Sequence, residues 1–319
     1  LLAVATAANA LQRGDLDLAL AGGVDVSIDP FELVTFSRTG AIATGDMHVY
    51  DKRANGFIAG EGCGFVVLQR LADARAAGRR VYAVLRGWGV SSDGRGGITA
   101  PDRDGQALAI ERAYEKAGYG PDTLHFVEGH GTGTVVGDRI ELQALAKVLG
   151  SAGSKPRSVG ITSFKSIVGH TKAAAGVGGL IKATIAVNRR VIPPTAACRD
   201  PNATFDGEAR SLYPVMEGSV QPATSRLRAG VSAMGFGGIN CHVTLESADP
   251  PAANLAPAID ESTLLASAQE TELFVLAARD LAEFAARARE LADAARDASM
   301  GDLVDLSDSL ARRCAADKD

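Results

Sequence analysis

The chain has 319 residues, 46% of them hydrophobic and 22% charged, with a formal net charge of −5. That length supports one large or two small domains with a substantial core. The acidic balance excludes a broad basic field for nucleic acid or anionic lipid, and no apolar run reaches the length of a membrane span. The first residues, Leu1-Leu2-Ala3-Val4-Ala5, are apolar without a preceding basic segment, so they read as a buried helix rather than a signal peptide. Because the chain opens with Leu inside a helical pattern, it is expected to be a piece of a longer polypeptide. Cys63, Cys198, Cys241 and Cys314 form no Cys-x-x-Cys pair, so no metal or thioredoxin-type centre is expected. Cys63 and Cys241, flanked by glycine and apolar residues, are expected to be buried inert thiols. A reducing, cytoplasmic location follows from this cysteine usage.

In chain order, Leu1 to Leu11 reads as a helix ended by Arg13-Gly14-Asp15, and Leu16 to Gly22 as a short buried strand. Residues 30–62, punctuated by glycines, read mostly as loop. Gly64 to Leu71 and Val81 to Val90 are valine- and leucine-rich strands. Asp102 to Gly118 is an amphipathic helix with Ala107, Ile110, Ala113 and Tyr114 on one face. Leu124 to Val127 is a strand, after which Asp138 and Glu141 stand at N-cap and N3 spacing for a helix running to Leu149. Val159 to Thr162 is a strand, and Gly169 to Val187 a helix of tiny side chains that lets other backbone approach closely. Gly230 to Met234 and His242 to Leu245 are strands around a Gly235-Phe236-Gly237-Gly238 turn. Strands alternating with helices give an α/β class. At about Asp249, prolines and a serine/alanine stretch read as a linker. Beyond it come a strand, Leu273 to Leu276, and helices with faces Leu281, Phe284, Leu291 and Leu303, Leu306, Leu310.

Two segments stand out for chemistry: Glu128-Gly129-His130-Gly131-Thr132-Gly133-Thr134, and Ser163-Phe164-Lys165-Ser166-Ile167-Val168-Gly169-His170. A strand running into Gly-His-Gly puts an imidazole at a strand end, where glycines permit close substrate approach. The same pattern also serves a histidine satisfied by backbone in a glycine turn. His170, at the start of the small-residue helix and near Lys165, is expected to be held neutral. A neutral imidazole can donate to a developing oxyanion; the plainer reading is a capping histidine with Lys165 solvated. Gly235-Phe236-Gly237-Gly238 is either a plain hairpin turn or a source of N–H groups for an oxyanion. Cys241 and His242 are adjacent on a strand, so they face opposite sides and form no dyad.

In combination and order these motifs resemble the beta-ketoacyl synthase (ketosynthase) family. Further matching segments are Leu18 to Val24, Tyr50-Asp51 through Gly60-Glu61-Gly62, and Ser91-Ser92-Asp93-Gly94. The resemblance covers Leu1 to about Leu245. The proline-rich linker and the following piece look like the connector to an acyltransferase domain in type I modular or iterative polyketide synthases. Ser27 to Glu32, Gly62-Cys63-Gly64 and Gly169 to Gly176 look most like the enediyne-type or polyunsaturated-fatty-acid-type enzymes.

The resemblance implies an α/β thiolase-like fold, with an incomplete N-terminal half and a complete C-terminal half. Residues 1–247 would be ketosynthase, and residues 248–319 the linker and the start of a small α/β connector. It implies an acyltransferase performing decarboxylative Claisen condensation, with His130, His170 and Lys165 as the catalytic set. The nucleophilic cysteine would lie just upstream of Leu1, leaving this chain inactive alone. Thr132 and Thr134 match phosphopantetheine-binding positions, and Phe236 with Gly235 and Gly237 an oxyanion-hole and gate position. Gly178 and Gly179 stand where some free-standing relatives carry a glutamate that could pair with the lysine. No cofactor bound by the domain itself is implied. The partners implied are an acyl carrier protein bearing substrate on phosphopantetheine, a second copy in a homodimer, and an adjacent acyltransferase domain. The competing readings are an inactive fragment, a chain-length-factor-like scaffold, which would have no need of both histidines and Lys165, and a free-standing thiolase using Cys241.

Overall fold

The computed structural model describes residues 1–94, 100–222, 226–248, 273–296 and 300–316. The chain divides into two compact units, Leu1–Ala266 and Ser267–Asp319. In the first, α1 (Leu2–Arg13) stops at Gly14, whose φ of +81° gives a left-handed cap that glycine adopts without strain. There follow β1 (Leu18–Asp25), α2 (Pro30–Arg38), β2 (Gly62–Gln69), α3 (Leu71–Ala76), β3 (Val84–Ser92), α4 (Arg103–Ala117), β4 (Phe126–Glu128), α5 (Val135–Ser151), β5 (Val159–Thr162), α6 (Lys165–Val168), α7 (Ala175–Arg189), β6 (Val191–Ile192), β7 (Leu212–Pro214), β8 (Ser219–Val220), β9 (Arg228–Met234) and β10 (Ile239–Glu246).

The main sheet has six strands in the order β3-β10-β9-β4-β5-β7. β9, β4, β5 and β7 run parallel, while β10 is antiparallel to both of its neighbours. β4 and β5 are buried along their whole length, as strands covered on both faces require. Side-chain alternation divides the strand residues between two cores. Val127 and Ile161 pack with Ile110 and Tyr114 of α4 and Leu142 and Leu145 of α5. Phe126, Ala229 and Val231 pack on the other side with Val4 and Ala5 of α1 and Leu180 and Val187 of α7. α7 approaches its neighbours closely: a Cβ on Gly178 would lie 2.5 Å from the Phe164 ring.

Four sequence expectations change here. β1 is not a buried strand. It pairs with β2 in a separate antiparallel sheet, Leu20 opposite Val67, and those two side chains are 69% and 65% exposed. Ala21, Val66 and Leu68 face the core, so the alternate residues Leu18, Leu20, Val24, Phe65 and Val67 form an apolar outer face. Cys63 alternates onto that same face and is exposed rather than buried. Residues 30–62 contain a helix, α2, capped by Asp29, which accepts from Glu32 N at 2.7 Å. The small-residue segment is not one helix from Gly169. Gly169 takes φ +74°, a 3₁₀ turn spans Lys172–Ala174, and α7 starts only at Ala175.

An apolar sheet face left uncovered by the described residues favours association. The chain produced alone is expected to run as aggregates on a sizing column, and Leu20→Lys with Val67→Lys to shift it toward smaller species. An unaltered elution profile would show that another surface drives association.

In the second unit, the described structure is two helices, Leu281–Ala295 and Met300–Ala316, the first capped by Asp280 through Glu283 N at 2.8 Å. Residues 273–276 form no strand among the described residues. The Leu273 carbonyl accepts instead from Ser307 Oγ at 2.7 Å. The expected linker at residues 249–272 lies outside the described residues. No described helix is long and apolar enough to cross a membrane, and no three described His, Cys, Asp or Glu residues cluster to hold a metal.

Candidate active site

β4 delivers the chain into Gly129-His130-Gly131, and the loop is shaped by tight packing. A Cβ on Gly129 would lie 1.8 Å from the Tyr50 hydroxyl, and Gly131 has φ +41°. Asp138 and Glu141 do not cap α5. That role belongs to Thr134, whose Oγ1 accepts from Gly137 N at 3.2 Å. Both carboxylates are instead buried within the helix and reach back to the loop. Glu141 accepts from His130 N at 2.6 Å, Gly131 N at 2.9 Å and the Tyr50 hydroxyl at 2.9 Å. Asp138 accepts from Tyr50 N at 2.7 Å and Gly133 N at 3.0 Å. Burial pushes the Glu141 carboxyl up, and pushes Asp138 up to about 7.

His170 sits in the irregular stretch between α6 and α7, not at a helix N-terminus. Its own N–H donates to the Ile58 carbonyl at 2.7 Å, which fixes the stretch against the segment before β2. The two imidazoles meet edge to face, ring centres 5.6 Å apart at 82°. Each has its Nδ1 turned to a backbone donor: Lys172 N at 2.9 Å for His170, Met234 N at 3.3 Å for His130. With Nδ1 accepting, the proton of each neutral ring rests on Nε2. Both pKa values are held well below the ordinary histidine value, first by burial and then by the Lys165 charge; the His170 ring acts in the same direction on His130, and the Lys172 charge on His170.

Lys165 Nζ donates to the His130 carbonyl at 2.5 Å and lies 3.3 Å from His130 Nδ1. Burial lowers its pKa to about 8, against the opposing pull of Glu141, Glu128 and Asp138. Glu128 accepts from Phe164 N and pairs with Lys182 at 2.9 Å. A Cβ on Gly179 would stand 3.2 Å from its Cγ, so glycine there makes room for this buried carboxylate. In a catalytic assay the imidazoles are expected to stay neutral between pH 6 and 7, giving a flat profile there. An inflection is expected near 8 as Lys165 loses its proton with rising pH, and Lys165→Met should abolish it. An inflection at 6 to 7 instead would mean a titrating histidine.

His130, His170, Thr132, Thr134, Gly235 and Phe236 line one cavity of about 570 Å³. Lys165 lies behind it. The two threonine hydroxyls are 3.0 Å apart. The Gly235 N–H closes the β9–β10 hairpin on the Ile239 carbonyl at 2.8 Å, so it is not available to an oxyanion. Gly237, at φ +91°, supplies the left-handed turn. Phe236 stacks on Phe36, which meets Phe57, which in turn packs against the His170 ring at 5.0 Å. Sequence reasoning quoted Tyr50, Phe57 and Glu128 within its motifs without giving them a role, and missed Phe36 and Lys182 as parts of the site. A larger groove of about 740 Å³, lined by Cys63, Ile167 and Ile181 among others, contains neither histidine. Cys241 and Cys198 are poor nucleophiles, since burial pushes their thiols up to about 11 and about 12. His242, on the opposite side of β10 from Cys241, is buried against Ser232 and Tyr114.

Comparison with known proteins accords with this geometry. The family model for the N-terminal domain of beta-ketoacyl synthases matches residues 1–74, and that for the C-terminal domain residues 82–199. The chain belongs to the beta-ketoacyl synthase family. It is 42% identical over 254 residues to a phenolphthiocerol/phthiocerol polyketide synthase of Mycobacterium tuberculosis, covering 78% of this chain and 14% of that protein. To a second phenolphthiocerol/phthiocerol polyketide synthase of the same organism it is 40% identical over 276 residues, covering 84% of this chain and 15% of that protein. Among solved structures, the ketosynthase from module 6 of the bacillaene synthase of Bacillus subtilis 168 superposes with a TM-score of 0.73 at 33% identity. That match covers 93% of this chain and 51% of that one. A keto synthase–chain length factor structure, PfaC, superposes with a TM-score of 0.71 at 34% identity over 78% of this chain and 27% of that one. The chain thus spans about half of the bacillaene ketosynthase and a small fraction of the curated synthases. Its fold is that of the thiolase-like ketosynthases.

Proposed function

We propose that this chain supplies the histidine pair of a ketosynthase carrying out decarboxylative Claisen condensation in polyketide or fatty-acid chain elongation, on substrates borne by an acyl carrier protein. The observation that carries the reading is the pair itself: two neutral imidazoles, both with Nε2–H, opening on one cavity. A malonyl thioester loses carbon dioxide when its carboxylate–α-carbon bond breaks and the electron pair moves onto the thioester oxygen. Two N–H donors aimed at that oxygen stabilise the enolate, which water does poorly. The enolate carbon then attacks the carbonyl of an acyl group held on a cysteine. The tetrahedral intermediate collapses, expelling the thiolate and leaving a β-ketoacyl thioester on the carrier. Leu1 N lies beside Gly176 of α7 and Ala233 of β9: a Cβ on Gly176 would stand 2.8 Å from Leu1 N and 3.1 Å from Ala233 Cβ, and the next residue, Met234, donates its N–H to His130. A cysteine just before Leu1 would therefore border the histidines, at the amino end of α1, where the helix dipole favours thiolate. Lys165 would hold the His130 loop and its electrostatics.

Under this reading residues 1–247 belong to the ketosynthase, and the rest to the connector toward an acyltransferase domain; the working unit is a homodimer in the cytoplasm. Thr132, Thr134 and Phe236 would receive the phosphopantetheine arm, and no cofactor of the domain's own takes part. The test is the full-length protein given acyl and malonyl carrier-protein thioesters. Carbon dioxide and a β-ketoacyl product are expected. The 319-residue chain alone is expected to yield neither, with no stable acylation of Cys63, Cys198, Cys241 or Cys314 by mass spectrometry. Release of carbon dioxide by neither protein would overturn the condensing reading; product from the chain alone would overturn the placement of the nucleophile.

A further inference from the structure

We propose that Gln106 is a specificity-determining residue, recognising a secondary amide of the arm that carries the substrate. This rests on the condensing reading above and assigns a contact within it. Gln106 lies in the first turns of α4, only 2% exposed, and lines the cavity that holds His130 and His170. Its Oε1 is buried with no hydrogen-bond partner among the described residues. Buried side-chain carboxamides are ordinarily paired, so an orphan one facing a cavity calls for a partner that enters from outside.

The neighbouring polar groups do not serve it, because they are engaged with each other. Asn240 Nδ2 donates to Asp93 Oδ1 at 2.6 Å, and Ser91 Oγ donates to the Gly105 carbonyl at 2.5 Å. Gly105 is pressed against this group: a Cβ there would stand 2.3 Å from Asp93 Oδ1. That contact seats the start of α4 against β3 and β10 and fixes where the next residue sits on the cavity wall. Thr134 Oγ1 accepts from Gly137 N in capping α5 and lies 3.0 Å from Thr132 Oγ1, so both hydroxyls have partners whereas the Gln106 acceptor has none among the described residues.

The chemistry of the missing partner follows from the carboxamide. It offers a donor and an acceptor side by side, and a half-turn about its last torsion exchanges them. A secondary amide presents the N–H that this acceptor lacks; its trans geometry turns the C=O to the other side, so one amide meets Oε1 through its N–H alone. An apolar acyl chain would leave Oε1 unpaired, and a carboxylate has no donor to offer it. A phosphopantetheine-type arm, built from secondary amides and a terminal thioester, fits both the residue and the cavity.

The experiment compares two malonyl thioesters on the full-length protein, one of pantetheine and one of propanethiol, which has no amide. Gln106→Leu is expected to raise KM for the pantetheine ester relative to the propanethiol ester by about tenfold, the scale of one hydrogen bond to a buried group, with kcat for the pantetheine ester little changed. Gln106→Asn, which keeps the amide but retracts it, should fall between. A loss of fold would depress both substrates together and leave the ratio of KM values intact, so the ratio separates recognition from folding. An unchanged ratio in an active enzyme overturns the role of Gln106 alone. A wild-type protein that releases carbon dioxide from neither ester overturns the condensing reading, and this proposal with it.

Discussion

His130→Ala or His170→Ala in the full-length protein is expected to cut decarboxylation of a malonyl thioester by roughly a hundredfold or more, the scale of losing one preorganised oxyanion donor. The expectation rests on the tautomers. Lys172 N and Met234 N occupy the two Nδ1 atoms, so each ring can only donate from Nε2, and neither needs a proton from solvent to do so. Both rings are also kept neutral by burial and by Lys165. An imidazolium at either position would bind the ground-state carboxylate strongly and oppose its loss. A neutral donor gains most as charge reaches the enolate oxygen, which is where catalysis requires the gain. Formation of the acyl-cysteine should suffer less, since a helix N-terminus can favour thiolate without either ring. Single-turnover release of carbon dioxide, measured beside acylation followed by mass spectrometry, separates the two steps. If either mutant released carbon dioxide near the wild-type rate, that histidine would be structural.

The histidines were legible in the sequence because the features that expose them are local. Glycines beside His130 and before His170 are needed for close packing against Tyr50 and Ile58, and glycine is visible in any sequence. The apolar face of α4 and the continuous apolar runs of β4 and β5 are local for the same reason. What long-range contacts decide was not legible. Asp138 and Glu141 have the spacing of a cap and its partner, yet the same spacing puts both carboxylates on one face of α5, turned toward a loop. Thr134, four residues earlier, had already met the need for a cap. The break at Gly169 is likewise set from a distance, by the His170 N–H on the Ile58 carbonyl and the bridge from His170 to Ala59. Local periodicity there still runs in favour of a continuous helix. The outer face of β1 has the composition of a buried strand, and only the arrangement of the whole chain shows that nothing among the described residues covers it.

Glu141→Ala is expected to be the most destabilising single change near the site. The carboxylate accepts three hydrogen bonds, from His130 N, Gly131 N and the Tyr50 hydroxyl, and its burial excludes water from taking its place. Truncation leaves those donors unpaired, and a cost of about 3–5 kcal/mol is the usual scale for removing one side of a buried, hydrogen-bonded charge. For a domain of this size that corresponds to a fall in Tm of about 10 °C, at roughly 2–4 °C per kcal/mol. Thr134→Ala, which removes only the cap of α5, should cost about 1 kcal/mol, and Tyr50→Phe, which removes one of the three donors, about the same. Glu141→Gln keeps the volume but turns an amide N–H toward a ring of donors, so it should fall between the extremes in stability. It also carries a signature that loss of packing alone would not produce. Glu141 is the largest electrostatic influence holding the Lys165 pKa up. Without that negative charge, the Lys165 inflection expected near pH 8 should move to lower pH. A Tm close to wild type in Glu141→Ala would mean that the His130 loop is held by other contacts. An unmoved inflection in Glu141→Gln would mean that Glu141 carries its proton at the working pH and acts on the loop only through its hydrogen bonds.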